Sequence, residues 1–227
     1  MRHLLIIGGS KGIGQATLKM LIDHCKITNF SRSAPEFDHP NLTHYSVDIL
    51  NDSLPELESL DGLVYCPGSI NLKPINRLTI DDFKSDFDIN VLGAVKVIQQ
   101  YLPLLKKGNN PSLVLFSTVA VKLGMPFHAS VAVSKAGVEG LTKSLAAELA
   151  PTIRINAIAP TVTKTGLASG ILRNDRVIEN INDRHPLKRF LDPEDAAHLA
   201  VYLLGEKSRY VTGQVIQLDS GIVSVKL

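Results

Sequence analysis

The chain has 227 residues, of which 44% are hydrophobic and 20% are charged, so it is long enough to bury one large core. Its 24 basic and 22 acidic side chains leave a net charge of +2 and are spread along the chain. This balance argues against a protein that binds nucleic acid or an acidic membrane, and it favours a small-molecule partner.

Targeting and redox signals are weak. The apolar run at residues 3–7 is too short for a signal peptide, and no run approaches the length of a membrane span. We therefore expect a cytoplasmic protein without a membrane partner. Cys25 and Cys66 have no paired spacing, and the seven histidines form no ligand pair at helical spacing, so no disulfide and no metal site is predicted.

Segments typical of strands and helices alternate along the chain, without a linker, a repeat or a low-complexity stretch. The predicted strands are residues 3–7, 26–30, 43–47, 61–66, 112–117, 153–158 and 214–218. The predicted helices are residues 12–25, 53–59, 79–88, 89–106, 132–150, 166–182 and 193–205. This alternation predicts an α/β fold, a single doubly wound parallel-sheet (Rossmann) domain over residues 1–227 with helices on both faces. Ligands of such sheets bind at the carboxyl ends of the strands.

A glycine-rich turn, GGSKGIG at residues 8–14, links the first strand to the first helix. Glycine permits positive φ and lets the backbone approach a pyrophosphate, while the helix N-terminus offers free N–H groups to the phosphates. The candidate cofactor-binding residues of this turn are Gly8, Ser10, Lys11, Gly12, Ile13 and Gly14. A turn that binds nothing is the alternative, because glycine-rich turns also occur between purely structural elements.

The end of the second strand indicates which nucleotide is preferred. Residues 30–33 read FSRS, with no acidic residue to accept hydrogen bonds from the ribose hydroxyls of NAD. Arg32, together with Lys11, is suited to a 2′-phosphate because guanidinium groups bind phosphates bidentately. The sequence therefore favours NADP over NAD, the alternative being two solvated surface cations.

Further motifs follow the later strands. They are VDI at residues 47–49, YCPG at 65–68, DINVLG at 88–93 and NAIAP at 156–160. Together with the glycine turn, these segments resemble the short-chain dehydrogenase/reductase family over essentially the whole chain, in the single-domain form of bacterial 3-oxoacyl carrier-protein reductases. The resemblance implies hydride transfer between a nicotinamide and a carbonyl or alcohol carbon.

The resemblance also implies individual roles. Asp48 contacts the adenine, and Gly68 is the one residue kept of the family's Asn-Asn-Ala-Gly motif. Asn90 is the active-site asparagine, with a helix cap or turn as the other interpretation. Thr165 contacts the nicotinamide carboxamide and opens a substrate lid over residues 165–185. Helices at 89–106 and 132–150 and the last strand are where family members associate, which implies a homotetramer or homodimer.

The family's serine, tyrosine and lysine would bind the substrate oxygen, transfer its proton and lower the tyrosine pKa. Lys135 occupies the lysine position, but the residue four positions earlier is Val131, not tyrosine. The family's spacing from Val131 leads to Thr118 as the replacement for the serine, with Ser117 as the neighbouring candidate. Valine has neither a proton nor a lone pair, so it cannot act as the general acid.

Two residues just before Val131 are candidate substitutes for the tyrosine. His128 is a candidate because histidine is the usual proton donor or acceptor near neutral pH, although a lone loop histidine is more often exposed or a helix cap. Ser130 is adjacent to Val131, so in a helix it points about 100° away, and its hydroxyl is a very weak acid.

Two functions remain open. The first is an NADP-dependent oxidoreductase in which Thr118 orients the substrate oxygen, Lys135 and Asn90 support a proton relay, and water or His128 replaces the tyrosine. The second is an NADP(H)-binding protein without turnover that serves as a sensor or an oligomer partner. Family membership favours the first function, and Val131 favours the second.

Overall fold

The computed structural model describes residues 1–226, and it confirms the predicted doubly wound parallel sheet. Its seven strands are all parallel and lie in the order β3-β2-β1-β4-β5-β6-β7. Their bounds are β1 Arg2–Ile7, β2 Cys25–Ser31, β3 Leu42–Ser46, β4 Gly62–Tyr65, β5 Ser112–Phe116, β6 Arg154–Pro160 and β7 Val215–Leu218. The strand order reverses between β1 and β4, which is where sheets of this kind bind ligands.

Within residues 1–226, six α-helices lie in the connections that follow β1, β4, β5 and β6. Their bounds are α1 Gly12–Leu21, α2 Ile80–Phe87, α3 Gly93–Leu105, α4 Ala129–Leu149, α5 Asp175–Arg184 and α6 Pro193–Leu204. Within residues 1–226, no helix combines the length and apolar character that crossing a bilayer requires.

Two apolar cores, one on each face of the sheet, hold the helices in place. Alternating residues of β1 serve both, because successive strand side chains point to opposite faces. Leu5 and Ile7 join the core under α3 and α4, whereas Leu4 and Ile6 join the core under α1 and α6. All four are fully buried, and each contributes about 1.5–3 kcal/mol relative to an exposed side chain.

The helix predicted at residues 53–59 is wrong, because this segment is irregular in the structure. Pro55 lies inside it, and the Tyr101 hydroxyl donates a hydrogen bond to the Pro55 carbonyl oxygen at 2.5 Å. Leu54 and Leu57 pack onto the core beneath α3. The apolar spacing that suggested a helix therefore arises from side chains of a loop that anchor it to the core.

The helix predicted at residues 166–182 is only partly correct. A short 3₁₀ turn at Gly166–Ala168 is followed by non-helical residues, and α5 begins at Asp175. The Asn174 side chain caps α5 by accepting a hydrogen bond from the Val177 N–H at 3.0 Å. Asparagine at this position starts a new helix rather than continuing the earlier one.

The helices predicted at 79–88 and 89–106 form one continuous rod, with a π-helical turn at Asp88–Leu92 between α2 and α3. The Tyr65 hydroxyl donates to the Ile89 carbonyl at 2.6 Å and lies where a side chain on Gly93 would clash. Glycine at 93 therefore lets the rod approach β4. The wide turn places Asn90 on the buried side, with 1% of its surface exposed.

The start of α1 gives a direct test of the close packing in the glycine turn. A Cβ on Gly14 would overlap the carbonyl oxygen of Gly8, which is rigid backbone. We expect Gly14→Ala to lower the free energy of unfolding by at least about 2 kcal/mol in urea titrations.

The matched control is Gly140→Ala in the exposed face of α4, where a Cβ would meet nothing within 4 Å. This control should gain about 0.5–1 kcal/mol from helix propensity. Equal effects of the two substitutions would contradict the close approach of Gly14 to Gly8.

Candidate active site

The glycine turn has the backbone geometry that a nucleotide-binding loop requires. Gly8 and Gly12 have φ of 80° and 54°, a region that other residues rarely adopt. The Gly9 N–H donates to Asn29 Oδ1 at 2.8 Å, and a Cβ on Gly9 would lie 2.6 Å from that oxygen. The turn is therefore fixed by both its own glycines and a buried side chain of β2.

The polar residues of the turn lie beside the end of β2. Ser10 is nearly buried, and its Oγ accepts a hydrogen bond from Ser33 at 3.3 Å. Lys11 is exposed at the N-cap of α1, and Ile13 packs partly against the core under α1 and α6. The free N–H groups at the start of α1 thus lie next to the segment that carries Arg32.

Arg32 and Asp48 follow the neighbouring strands β2 and β3. Arg32 is exposed, and its charge is among the influences on Asp48. The pKa of Asp48 is lowered first by the hydrogen bond from Asn51 and then by that from the Leu50 N–H, with Arg32 a smaller cause. Asp48 is thus committed to its own turn, which leaves the Arg32 guanidinium without a hydrogen-bonded carboxylate among residues 1–226.

Gly68, Asn90 and Lys135 converge at the carboxyl ends of β4 and β5. A Cβ on Gly68 would lie 2.9 Å from Asn90 Oδ1 and 3.3 Å from Lys135 Nζ. The Lys135 ammonium donates to the Phe116 carbonyl at 2.9 Å, and Asn90 Nδ2 donates to the Asp86 carbonyl at 2.8 Å. Asn90 Oδ1 is buried without a hydrogen-bond partner among residues 1–226. It is an acceptor in position for a donor that enters beside Gly68.

Burial is the main cause of the pKa shifts of Lys135 and Cys66, which lie close together in this group. It lowers the pKa of Lys135 to about 8, while the nearby Cys66 and Asp86 act in the opposite direction. It also raises the pKa of the Cys66 thiol to about 12, against the lowering effect of Lys135. Cys66 is therefore a neutral thiol near neutral pH and a poor nucleophile.

Asp86 is a site residue that the sequence analysis missed. Its carboxylate is fully buried and accepts hydrogen bonds from Ser69 Oγ at 2.5 Å, Asn71 Nδ2 at 2.9 Å and Ser130 Oγ at 2.6 Å. An aspartate within a predicted amphipathic helix gives no signal of this role. The hydroxyl proton of Ser130, a candidate substitute for tyrosine, is directed at this carboxylate.

The hydroxyls after β5 point in different directions. Ser117 is buried and donates to Glu139 Oε1 at 2.7 Å. Thr118 is half-buried, and its Oγ1 accepts a hydrogen bond from the Ala120 N–H at 3.3 Å. Of these two candidates for the serine position, Thr118 is the one whose proton is not engaged with a buried carboxylate.

Helix α4 starts at Ala129, earlier than the predicted residue 132, so Ser130 and Val131 lie in its first turn. Val131 is 3% exposed, which makes the tyrosine position an apolar wall. His128 is the N-cap residue, and its Nδ1 lies 2.7 Å from the Pro126 carbonyl oxygen. A carbonyl can only accept, so Nδ1 carries the proton and Nε2 has the free lone pair in neutral His128.

The segment predicted to form the lid, residues 165–185, is attached at both ends. Thr165 contacts the glycine turn, since its Cγ2 would lie 3.1 Å from a Cβ on Gly12. At the other end, buried His185 lies between Thr161 Oγ1, 2.7 Å from Nε2, and the Ile181 carbonyl oxygen, 2.6 Å from Nδ1. The predicted nicotinamide contact and the predicted pyrophosphate turn are thus neighbours.

The structure therefore brings the predicted residues together in three groups along one edge of the sheet. These groups are Gly12 with Thr165, Arg32 with Asp48, and Gly68 with Asn90 and Lys135. Asn29, which holds the glycine turn, was also missed, although a polar residue inside the apolar strand at 26–30 was a usable signal. Residues 1–226 contain no group of three or more metal-ligating side chains that could hold an ion.

Comparison with known proteins places this geometry in a family. A family model described as "Enoyl-(Acyl carrier protein) reductase" matches residues 47–223. A 3-oxoacyl-[acyl-carrier-protein] reductase of Thermotoga maritima is 37% identical over 165 residues, which are 72% of this chain and 66% of that protein. An uncharacterized oxidoreductase of Mycobacterium tuberculosis is 38% identical over 169 residues, which are 71% of this chain and 63% of that protein. This chain thus spans slightly less than two thirds of these relatives' lengths.

A solved structure agrees over nearly the full chain. The crystal structure of a short chain dehydrogenase family protein from Francisella tularensis has a TM-score of 0.89 and 26% identity. The match covers 99% of this chain and 100% of that chain.

The burial of Lys135 predicts how stability depends on pH. Because folding lowers its pKa from the ordinary 10.5 to about 8, the unfolded chain binds more protons than the folded chain between these values. Lys135 therefore destabilises the fold most below pH 8, and this penalty is relieved as the pH rises towards 10.5. Denaturant titrations of the wild type and of Lys135→Met measure this effect. The difference between their free energies of unfolding, wild type minus variant, should rise by roughly 1–3 kcal/mol between pH 8 and 10.5. A flat difference would mean that the ammonium is solvated.

Proposed function

This chain belongs to the short-chain dehydrogenase/reductase family, and on that premise we propose that it is an NADP(H)-dependent oxidoreductase acting on a carbonyl/alcohol pair. The observation that carries the proposal is the convergence of Lys135 Nζ and the unpartnered Asn90 Oδ1 beside Gly68, at the edge of the sheet that also holds the glycine turn. A role confined to folding does not account for a buried ammonium next to an unsatisfied buried acceptor.

The residues at this edge fit a nicotinamide dinucleotide. Gly8 and Gly12 have the positive φ of a turn that presents backbone N–H groups, and α1 begins at Gly12. Ser10 and Lys11 lie beside that turn, while Arg32 offers a guanidinium for a 2′-phosphate. When bound, the nicotinamide supplies or accepts the hydride.

The other end of the dinucleotide has candidate ligands too. Asp48 lies after β3 on the adenine side, and Thr165 lies against the glycine turn where the carboxamide is expected. Lys135 has three N–H donors, of which one goes to the Phe116 carbonyl, so two remain for ribose hydroxyls or water. We therefore assign Lys135 both cofactor binding and proton transfer.

The proton route differs from that of a tyrosine enzyme. Thr118 orients the substrate oxygen, and the lysine ammonium, whose pKa of about 8 suits proton exchange near neutral pH, passes its proton through water that Asn90 Oδ1 holds. His128 is the second candidate donor, since its Nε2 is free of protein partners within residues 1–226. Ser130 is a weaker candidate because Asp86 binds its hydroxyl.

One observation favours a second function, an NADP(H)-binding protein without turnover. Val131 replaces the proton-transferring tyrosine and is almost completely buried, so no titratable group occupies that position. The loss of general acid–base assistance typically costs 10²- to 10⁴-fold in rate, about 3–5 kcal/mol of barrier. Such a protein would act as a sensor or as a partner in an oligomer. For both functions we propose that the chain forms a homotetramer or homodimer.

Cofactor choice gives one prediction. Arg32→Ala should weaken NADPH binding about tenfold, because a charge-assisted hydrogen bond to the 2′-phosphate is lost, and should leave NADH binding unchanged. Calorimetric titration of both cofactors measures this. Lys26→Ala, an exposed cation near the opposite end of the same strand, is the control and should change neither affinity. An unchanged NADPH affinity in Arg32→Ala would favour NAD as the cofactor.

Turnover decides between the two functions. NADPH oxidation should be followed with ketones, aldehydes and 3-oxoacyl thioesters, with cofactor affinity measured in the same samples. We expect slow turnover in the wild type and a 10²- to 10⁴-fold faster rate in Val131→Tyr, because the tyrosine restores general acid catalysis. Val133→Tyr, on the exposed side of the same helix, should leave the rate unchanged.

Two further variants separate the proton routes. Lys135→Met should lose turnover and weaken NADPH binding together. If His128 is the donor, His128→Ala should abolish turnover at nearly unchanged NADPH affinity, whereas retained activity excludes the histidine route. Tight NADPH binding without turnover in both the wild type and Val131→Tyr would favour the binding protein.

A further inference from the structure

A cavity lies beside the start of α4, near the residues proposed for the reaction. Its volume is about 490 Å³, within the range typical of small-molecule sites. Three segments form its walls: the stretch that follows β4, the loop between β5 and α4, and the first turn of α4. The lining residues are Lys73, Pro74, Ile75, Ala120, Gly124, Met125, Phe127, His128, Ala129 and Ala132.

The backbone that lines the cavity contacts residues of the proposed active site. Ala120 donates its N–H to Thr118 Oγ1, the hydroxyl proposed to hold the substrate oxygen. Ala129 and Ala132 flank Val131 on α4, and His128 caps that helix. The cavity lining therefore includes a residue that is hydrogen-bonded to Thr118 and residues next to Val131 on α4.

Phe127 is the unusual residue of the cavity. Its φ is 67°, a conformation that is uncommon for a non-glycine residue and a genuine outlier for a bulky one. The side chain is nevertheless 57% exposed, so little apolar burial compensates for the strained backbone. Strain retained without a gain in folding is typical of functional positions.

The charges at the cavity are balanced. Lys73 Nζ donates to both carboxylate oxygens of Asp82, at 2.7 and 2.9 Å, so its charge is paired. His128 is the other titratable lining residue, and the remaining ones have apolar side chains or none. An apolar, uncharged group is thus favoured here over a carboxylate, which would need an unpaired cation.

We propose that this cavity binds the hydrocarbon part of the substrate and that Phe127 determines specificity for it. The substrate class is then a neutral ketone or secondary alcohol that carries an aryl or alkyl group. The proposal rests on the proposed function, because it places the substrate oxygen at Thr118. It adds the chemical character of the group attached to the reacting carbon.

Calorimetric binding of two probes tests the proposal without requiring turnover. 4-Phenyl-2-butanone carries an aryl group, and 4-oxopentanoate carries a carboxylate at a similar distance from its ketone. The protein, saturated with NADPH and also alone, should bind the first probe at least tenfold more tightly than the second. Phe127→Ala should weaken binding of the aryl ketone at least tenfold, and Tyr210→Ala, an exposed aromatic outside the cavity, should not change it.

Two more variants exclude a merely structural role. Gly124→Leu should also weaken binding of the aryl ketone, because a Cβ there meets nothing within 4 Å and the larger side chain reduces the cavity without a backbone clash. Phe127→Gly should lose binding while its melting temperature stays the same or rises, since glycine tolerates positive φ. A fall in melting temperature together with unchanged binding would assign Phe127 to folding.

The outcomes separate this proposal from the proposed function. Binding of the aryl ketone without NADPH oxidation would support the cavity and count against turnover. Turnover or tighter binding of 4-oxopentanoate would support an enzyme but overturn the apolar substrate. Unchanged affinity in both Phe127→Ala and Gly124→Leu would overturn the cavity as the binding place.

Discussion

The structure depends on how closely the first helix approaches the first strand. Gly14, in the first turn of α1, has no room for a Cβ because the carbonyl oxygen of Gly8 is already there. This contact sets where α1 begins, and α1 in turn packs on α6 and covers one face of the sheet. Asn29 binds the intervening Gly9 N–H, so the end of β2 is fixed relative to the turn. The edge of the sheet that we propose as the nucleotide site is therefore shaped first by backbone packing, and its polar side chains are carried on that backbone.

A second constraint organises the side of the site proposed for chemistry. The Asp86 carboxylate collects hydrogen bonds from Ser69 and Asn71 after β4 and from Ser130 at the start of α4. Three segments that are distant in sequence are thus joined at one buried charge. Buried carboxylates are stable only when their lone pairs are satisfied in this way. Because the network includes the first turn of α4, it also fixes the position of Val131 and the direction from which Lys135 enters one turn later.

The sequence predicted all seven strands and the order of functional motifs, because both depend on local signals. Short, continuous apolar runs indicate strands that are buried on both faces, and glycines mark turns whose φ only they adopt readily. The sequence-based predictions were wrong or incomplete where contacts between distant parts of the chain determine the local conformation. Residues 53–59 were predicted to be helical, yet they form an irregular loop in which the Pro55 carbonyl accepts a hydrogen bond from Tyr101. Asp86 looked like an ordinary residue of an amphipathic helix, because the three donors that surround it come from elsewhere in the chain. The π-helical turn at Asp88–Leu92 accepts a hydrogen bond from the Tyr65 hydroxyl at the Ile89 carbonyl, a contact that no local pattern reveals.

The contacts at the two ends of residues 165–185, the segment predicted to form the lid, have a consequence for conformational entropy. Thr165 lies against Gly12, Thr163 pairs with Leu191, and His185 is held by Thr161, so the ends of the segment are ordered in the folded chain. A loop with fixed ends loses less conformational entropy when a ligand orders it than a loop with free ends does. Part of the entropy has already been lost when the chain folds. Little of a ligand's intrinsic binding free energy is then needed to immobilise this segment. A ligand that contacts this segment would therefore lose little of its binding free energy to the ordering of these residues.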